Sequence, residues 1–192
     1  MQYITAVFSF LSATLTLAAP APITSRDGSS PLDVAVPTVL KIHNITNNAN
    51  TADDKTSTVR LGNVETSTLY DIPIPAEASG KTCTLVFKAN PGTGDVVSGT
   101  MEMDIFRNNF EDLANLTSGN LRDQLLARII FDAASGSYRF KTEDVTPTIQ
   151  SFACPAGKTL HWEAVAVGET DQNIIKQDFT AAAADGISVA WS

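Results

Sequence analysis

The sequence predicts an all-β protein, an antiparallel β-sandwich with one disulfide and a disordered N-terminal leader. Three observations predict it. Many short runs alternate apolar with polar residues between turn-marked intervals, and no long amphipathic helix interrupts them, the pattern of half-buried strands. The only two cysteines, Cys83 and Cys154, stand in or beside such runs. Ahead of them comes a stretch of Pro, Ala, Ser, Thr and Gly with little to bury.

Residues 3–17 form an apolar run sprinkled with Ser and Thr, too short to span a bilayer as a helix. Thr16 and Ala18 are small, and Pro20 favours cleavage after Ala18 over cleavage after Ala19. The expectation is therefore a secretory signal peptide over 1–18, a leader over 19–33 in which Arg26 is a lone basic residue, and a single β-sandwich domain over 34–192. Removing the signal leaves about 170 residues, enough for one domain with a real core. No polar spacer and hydrophobic tail follow Trp191, so no membrane anchor is expected.

Lys and Arg number 13 against 21 Asp and Glu, a net charge of -8 without a long run of either sign. Binding to nucleic acid or an anionic membrane needs clustered basic residues, and this composition disfavours both. In an oxidising compartment two cysteines pair in preference to standing as buried free thiols. A Cys83–Cys154 bridge would stabilise by roughly 4 kcal/mol in the chain-entropy model.

The domain begins near Val34 and Val36, followed by Leu40 and Ile42. Residues 44–55 have loop composition and contain the glycosylation sequon of Asn44, Ile45 and Thr46. Residues 59–61 and 70–74 read as short strands. Tyr70, Ile72 and Ile74 share a face, and Pro73 and Pro75 place that strand at an edge. After a turn at Ser79 and Gly80, Cys83, Leu85 and Phe87 face the core, with Thr82, Thr84 and Lys88 opposite. Pro91 and Gly92 turn the chain into a run where Met101, Met103 and Ile105 alternate with Thr100, Glu102 and Asp104. Residues 110–131 are ambiguous. Leu121, Leu125 and Ile129 have helical spacing, yet Ile129, Ile130 and Phe131 suit a strand; a loop or helical turn over 110–120, then strands, is favoured. A second sequon lies there, at Asn115, Leu116 and Thr117. Tyr138 and Phe140, then Leu160, Trp162 and Ala164, Ile175 and Phe179, and Ile187, Val189 and Trp191 complete the strand pattern.

Residues Gly80 to Phe87, with Phe152, Cys154, Pro155, Ala156, Gly157 and the late pair Gly186 and Ile187, carry a resemblance to the fungal But-two C-terminal domain, a family named for a protein that binds Uba-three. The similarity covers residues 40–191. It implies a fungal secreted or cell-surface β-protein without assigned catalysis, and no catalytic residues to carry over. A secreted chain would not meet the cytosolic or nuclear enzyme in the family's name.

Candidate chemistry is sparse. Gly80-Lys81-Thr82 and Gly157-Lys158-Thr159 evoke a phosphate loop, but Pro75 and Phe152 stand where its first glycine is required, so both read as turns opening strands. Glu102 and Asp104, and Glu163 with His161, are two apart on strand faces. Such carboxylates could serve a glycosidase across a cleft of about 5–10 Å, and equally belong to an ordinary solvated sheet face, which is the reading favoured. His43 and His161 lack the neighbours of a zinc site, and no G-x-S-x-G elbow exists. Trp162 and Trp191 fall on the inward face and read as core. No catalytic residue, cofactor or metal is expected. The expected function is a secreted, N-glycosylated, non-enzymatic protein of a fungal cell surface or wall, with cell-wall polysaccharide or a surface protein as partner; the alternative is a secreted carbohydrate-active hydrolase using surface carboxylates.

Overall fold

A computed structural model describes residues 33–52, 55–180 and 185–192. The expected signal peptide, Arg26 and every residue of the expected leader except Asp33 lie outside the described residues. The strands are β1 (Asp33–Ala35), β2 (Val39–Asn44), β3 (Asn50–Ala52), β4 (Thr56–Arg60), β5 (Thr66–Pro73), β6 (Thr82–Lys88), β7 (Val96–Ser98) and β8 (Glu102–Asn108). After them come β9 (Arg122–Asp132), β10 (Ser137–Phe140), β11 (Phe152–Ala153), β12 (Thr159–Ala166), β13 (Gln172–Lys176) and β14 (Gly186–Trp191). Among the described residues the helical content is two short 3-10 turns, Ala76–Ala78 and Pro91–Thr93.

All strand pairings are antiparallel and join into one curled sheet, ordered β1-β14-β6-β10-β9-β8-β12-β5-β4-β13-β7, with β2 and β3 branching from β5 and β11 from β6. The curl brings distant strands face to face. Tyr138 of β10 donates its hydroxyl to Asn173 Oδ1 of β13 at 2.8 Å across the core, although the two strands are far apart along the sheet. Gln177, just past β13, donates Nε2 to the Ile187 carbonyl and accepts from the Ile187 amide, each at 3.0 Å, so its side chain pairs with β14 as a strand residue would.

Alternation dictates this core. In β6, Cys83, Leu85 and Phe87 are buried while their neighbours are partly or fully exposed. Tyr70, Ile72, Trp162, Ala164, Ile175, Ile187, Val189 and Trp191 join the same cluster, and burial of each large side chain is worth about 1.5–3 kcal/mol. Cys83 and Cys154 are bonded, with Cα atoms 5.0 Å apart and 71 residues between them in sequence. The bridge ties β6 to the turn after β11, which itself pairs with β6. Gly80 and Gly157 both adopt φ near +74° in the turns that open β6 and β12, a conformation glycine takes without a Cβ penalty.

One expectation changes, and one ambiguity is resolved in the favoured sense. The strand containing Pro73 is not at an edge: β5 pairs with β12 on one side and with β2 and β4 on the other. Pro73 removes no ladder bond there, because it is the last residue of β5 and pairing with β2 ends at Asp71. The ambiguous region resolves into a loop over 109–121, with one bridge residue at Ser118, followed by β9 as an unbroken strand. Two register shifts against β8 leave Leu126 and Asp123 without opposite partners. Such bulges twist a strand and re-aim its side chains. The first lets consecutive Leu126 and Ala127 both be buried, and the second, at Asp123, directly follows Arg122.

Candidate functional site

The chemistry-bearing residues converge on the outer face of β2, β5, β12 and β8, beneath the 109–121 loop. Period-two alternation puts Tyr70 and Ile72 into the core, so Ser67, Leu69 and Asp71 face outward. The pairing then places His43 opposite Ser67, Lys41 and Glu163 opposite Leu69, and His161 opposite Asp71. Phe110 and Leu113 of the loop close over Leu69 as a small second apolar cluster. Lys41 Nζ donates to the Ala114 and Leu116 carbonyls at 2.8 and 2.9 Å. Asn50 Nδ2 donates to the Gly119 carbonyl at 2.7 Å, and its Oδ1 accepts from His43 Nδ1 at the same distance. Nδ1 of His161 donates to Asp71 Oδ1 at 2.6 Å, and Phe110 packs edge-on against the imidazole at 4.9 Å.

Glu163 is the centre of this layer. It is fully buried and accepts from Ser67 Oγ at 2.5 Å, Asn108 Nδ2 at 3.0 Å and Asn120 Nδ2 at 3.0 Å. Arg122 completes the set, donating Nε at 2.9 Å and Nη2 at 2.7 Å in a two-pronged pair, while the Phe106 ring covers the guanidinium at 4.6 Å. Burial pushes the Glu163 pKa up, but Arg122, Ser67 and Asn108 outweigh it and hold the carboxyl below its ordinary range. The group is an ionised acceptor at neutral pH.

Glu102 and Asp104 are likewise not the solvated carboxylates expected of them. Glu102 is buried against Lys141 Nζ at 2.6 Å. Asp104 accepts Nε and Nη2 of Arg128 at 2.8 and 2.9 Å, and Asp144 bridges Arg128 and Lys141. The correction has a physical cause: a basic residue on β9 or just past β10 lies across from each acid, so these strands bury ion pairs where the pattern implied free carboxylates.

His43 and His161 both lie in this outer layer, each bonded to a different partner. Among the described residues no group of three or more His, Cys, Asp or Glu is placed to hold a metal ion. Trp162 and Trp191 are buried in the core. Asn44 ends β2 half-buried, its Oδ1 accepting the Thr46 and Asn47 amides at 3.0 and 3.1 Å. Asn115 is exposed in the loop, with Nδ2 donating to Asp112 at 2.5 Å. The two sequon segments touch: Asn50 N donates to the Thr117 carbonyl and Gly119 N to the Asn48 carbonyl, each at 2.9 Å. Sequence reasoning missed Ser67, Asn108, Asn120 and Arg122. One signal was present: Glu163 is the sole charge in the run Trp162-Glu163-Ala164-Val165-Ala166-Val167, which reads as a strand covered on both faces.

Away from this layer the surface has a cleft of ≈ 670 Å³ between residues 88–92 and 133–137 and another of ≈ 350 Å³ beside Arg60. Among the described residues no helix is long and apolar enough to cross a membrane. No family model, curated protein or solved structure matches the chain.

Proposed function

We propose that this chain is a secreted, N-glycosylated, non-enzymatic β-sandwich of a fungal cell surface or wall, of the But-two C-terminal kind, binding wall polysaccharide or a surface protein without a cofactor. The observation that carries the reading is the Glu163 centre. A glycosidase needs one carboxyl that keeps its proton until it meets the leaving group. Glu163 instead has a lowered pKa and spends both oxygens on Ser67, Asn108, Asn120 and Arg122, and Glu102 and Asp104 face cations. Glu163 ties Asn120 of the loop to the sheet, and Asp104 pairs with Arg128 across neighbouring strands. The bridge between Cys83 and Cys154 supports an oxidising compartment.

The test is expression of the full chain in a fungal host. The secreted product should begin at Ala19, lose mass in two steps under glycosidase as Asn44 and Asn115 are stripped, and co-sediment with insoluble wall polysaccharide. Retention in the cell, or release of reducing sugar from that polysaccharide, would overturn the reading.

A further inference from the structure

We infer that the cleft beside Arg60 binds a saccharide residue carrying a single carboxylate, a uronic acid. The inference rests on the glycan-binding reading above and deepens it. The cleft, ≈ 350 Å³, lies between the β4–β5 and β12–β13 connections and is lined by Arg60, Asn63, Val64, Glu169, Thr170 and Gln172, among others, a size within the range of small-molecule sites.

Four observations point to that ligand. Arg107, Arg122 and Arg128 each face a carboxylate; Arg60 faces none among the described residues, and its Nε is buried without a hydrogen-bond partner. Arg60 also lines the cleft, and the planar fork of arginine suits a carboxylate. Around it Asn63, Thr170 and Gln172 are exposed, offering the amide and hydroxyl groups that sugar hydroxyls require. Val64, 46 % exposed, adds an apolar surface to the cleft wall. Glu169 lines the same cleft and accepts hydrogen bonds from sugar hydroxyls.

The frame is built before any ligand arrives. Asp171, fully buried, accepts the amides of Thr100 and Gly168 and the Thr100 hydroxyl, and its own carbonyl accepts the Leu61 amide at 3.0 Å. Gly62, at φ +131°, turns the chain where a side chain would be strained. A fixed rim lowers the ordering cost of binding.

The experiment titrates the secreted protein with trigalacturonate, galactotriose and a short peptide with a free C-terminal carboxylate, following the side-chain amides of Asn63 and Gln172 by NMR alongside calorimetry. Trigalacturonate should bind about tenfold or more tighter than galactotriose, shifting both amides. Arg60→Gln should remove that preference, Arg60→Lys should restore part of it, and the thermal midpoint should stay unchanged. Equal binding of both sugars, tighter binding of the peptide, or shifts confined to residues outside the cleft would overturn the uronate assignment. Retention on wall polysaccharide by Arg60→Gln as strong as wild type would also overturn it while leaving the glycan-binding reading standing; loss of retention by every form would remove that reading itself.

Discussion

Arg122, at the head of β9, has its edge taken by Glu163 and its face by the Phe106 ring, whereas Arg60, at the end of β4, keeps a buried Nε without a partner at the wall of an open cleft. The sequence contains nothing that separates the two. What separates them is the fold. Two register shifts aim Arg122 at a buried acid, and a turn fixed by Asp171 leaves Arg60 facing solvent-filled space. An arginine absorbed in a buried network belongs to stability, and one without an acid is available to a ligand.

The largest effect should come from breaking the first of these. Arg122→Ala leaves Glu163 buried with neutral donors only, and equilibrium unfolding in denaturant should record a loss of about 3–5 kcal/mol. A loss below about 1 kcal/mol would mean that the network contributes little.

Next comes the bridge, which no charge argument touches. Cys154→Ser or Cys83→Ser should lower stability by about 2–5 kcal/mol, and the double variant should cost little more than either single one, because each already removes the same constraint.

Acid should sharpen the comparison. The Glu163 pKa is lower folded than its ordinary 4.5, so its contribution is complete above about 4.5 in the unfolded chain's range and is lost as pH falls through the folded value. Asp185, whose pKa burial raises, contributes in the opposite sense. Urea midpoints between pH 7 and pH 3 should therefore fall more in wild type than in Glu163→Gln. Parallel pH profiles would remove Glu163 from the account.

The smallest change belongs to Arg60→Gln, expected within about 0.5 kcal/mol of wild type. A large loss would make Arg60 structural.

The legible part of this fold was local. Cys83, Leu85 and Phe87 announced their strand through period-two alternation, and the loop-then-strand reading of 110–131 survived because Ile129, Ile130 and Phe131 outweighed the helical spacing of Leu121, Leu125 and Ile129. The illegible part was long-range. Pro73 reads as an edge residue until the pairing shows that β2 stops at Asp71, and Arg122 stands 41 residues from Glu163, a separation over which no periodicity carries information. The Arg60 cleft is assembled from two connections whose residues, read singly, look like ordinary turns.

The measurement that tests the central claim most directly is co-sedimentation with insoluble fungal wall polysaccharide, run on wild type and Glu163→Gln, with reducing ends assayed in the supernatant. The account predicts that wild type is retained and releases no reducing ends, and that Glu163→Gln, at a temperature where it stays folded, is retained equally. Reducing ends released by wild type and abolished in Glu163→Gln would contradict it, because Glu163 would then be a catalytic acid or base and its buried network part of a mechanism.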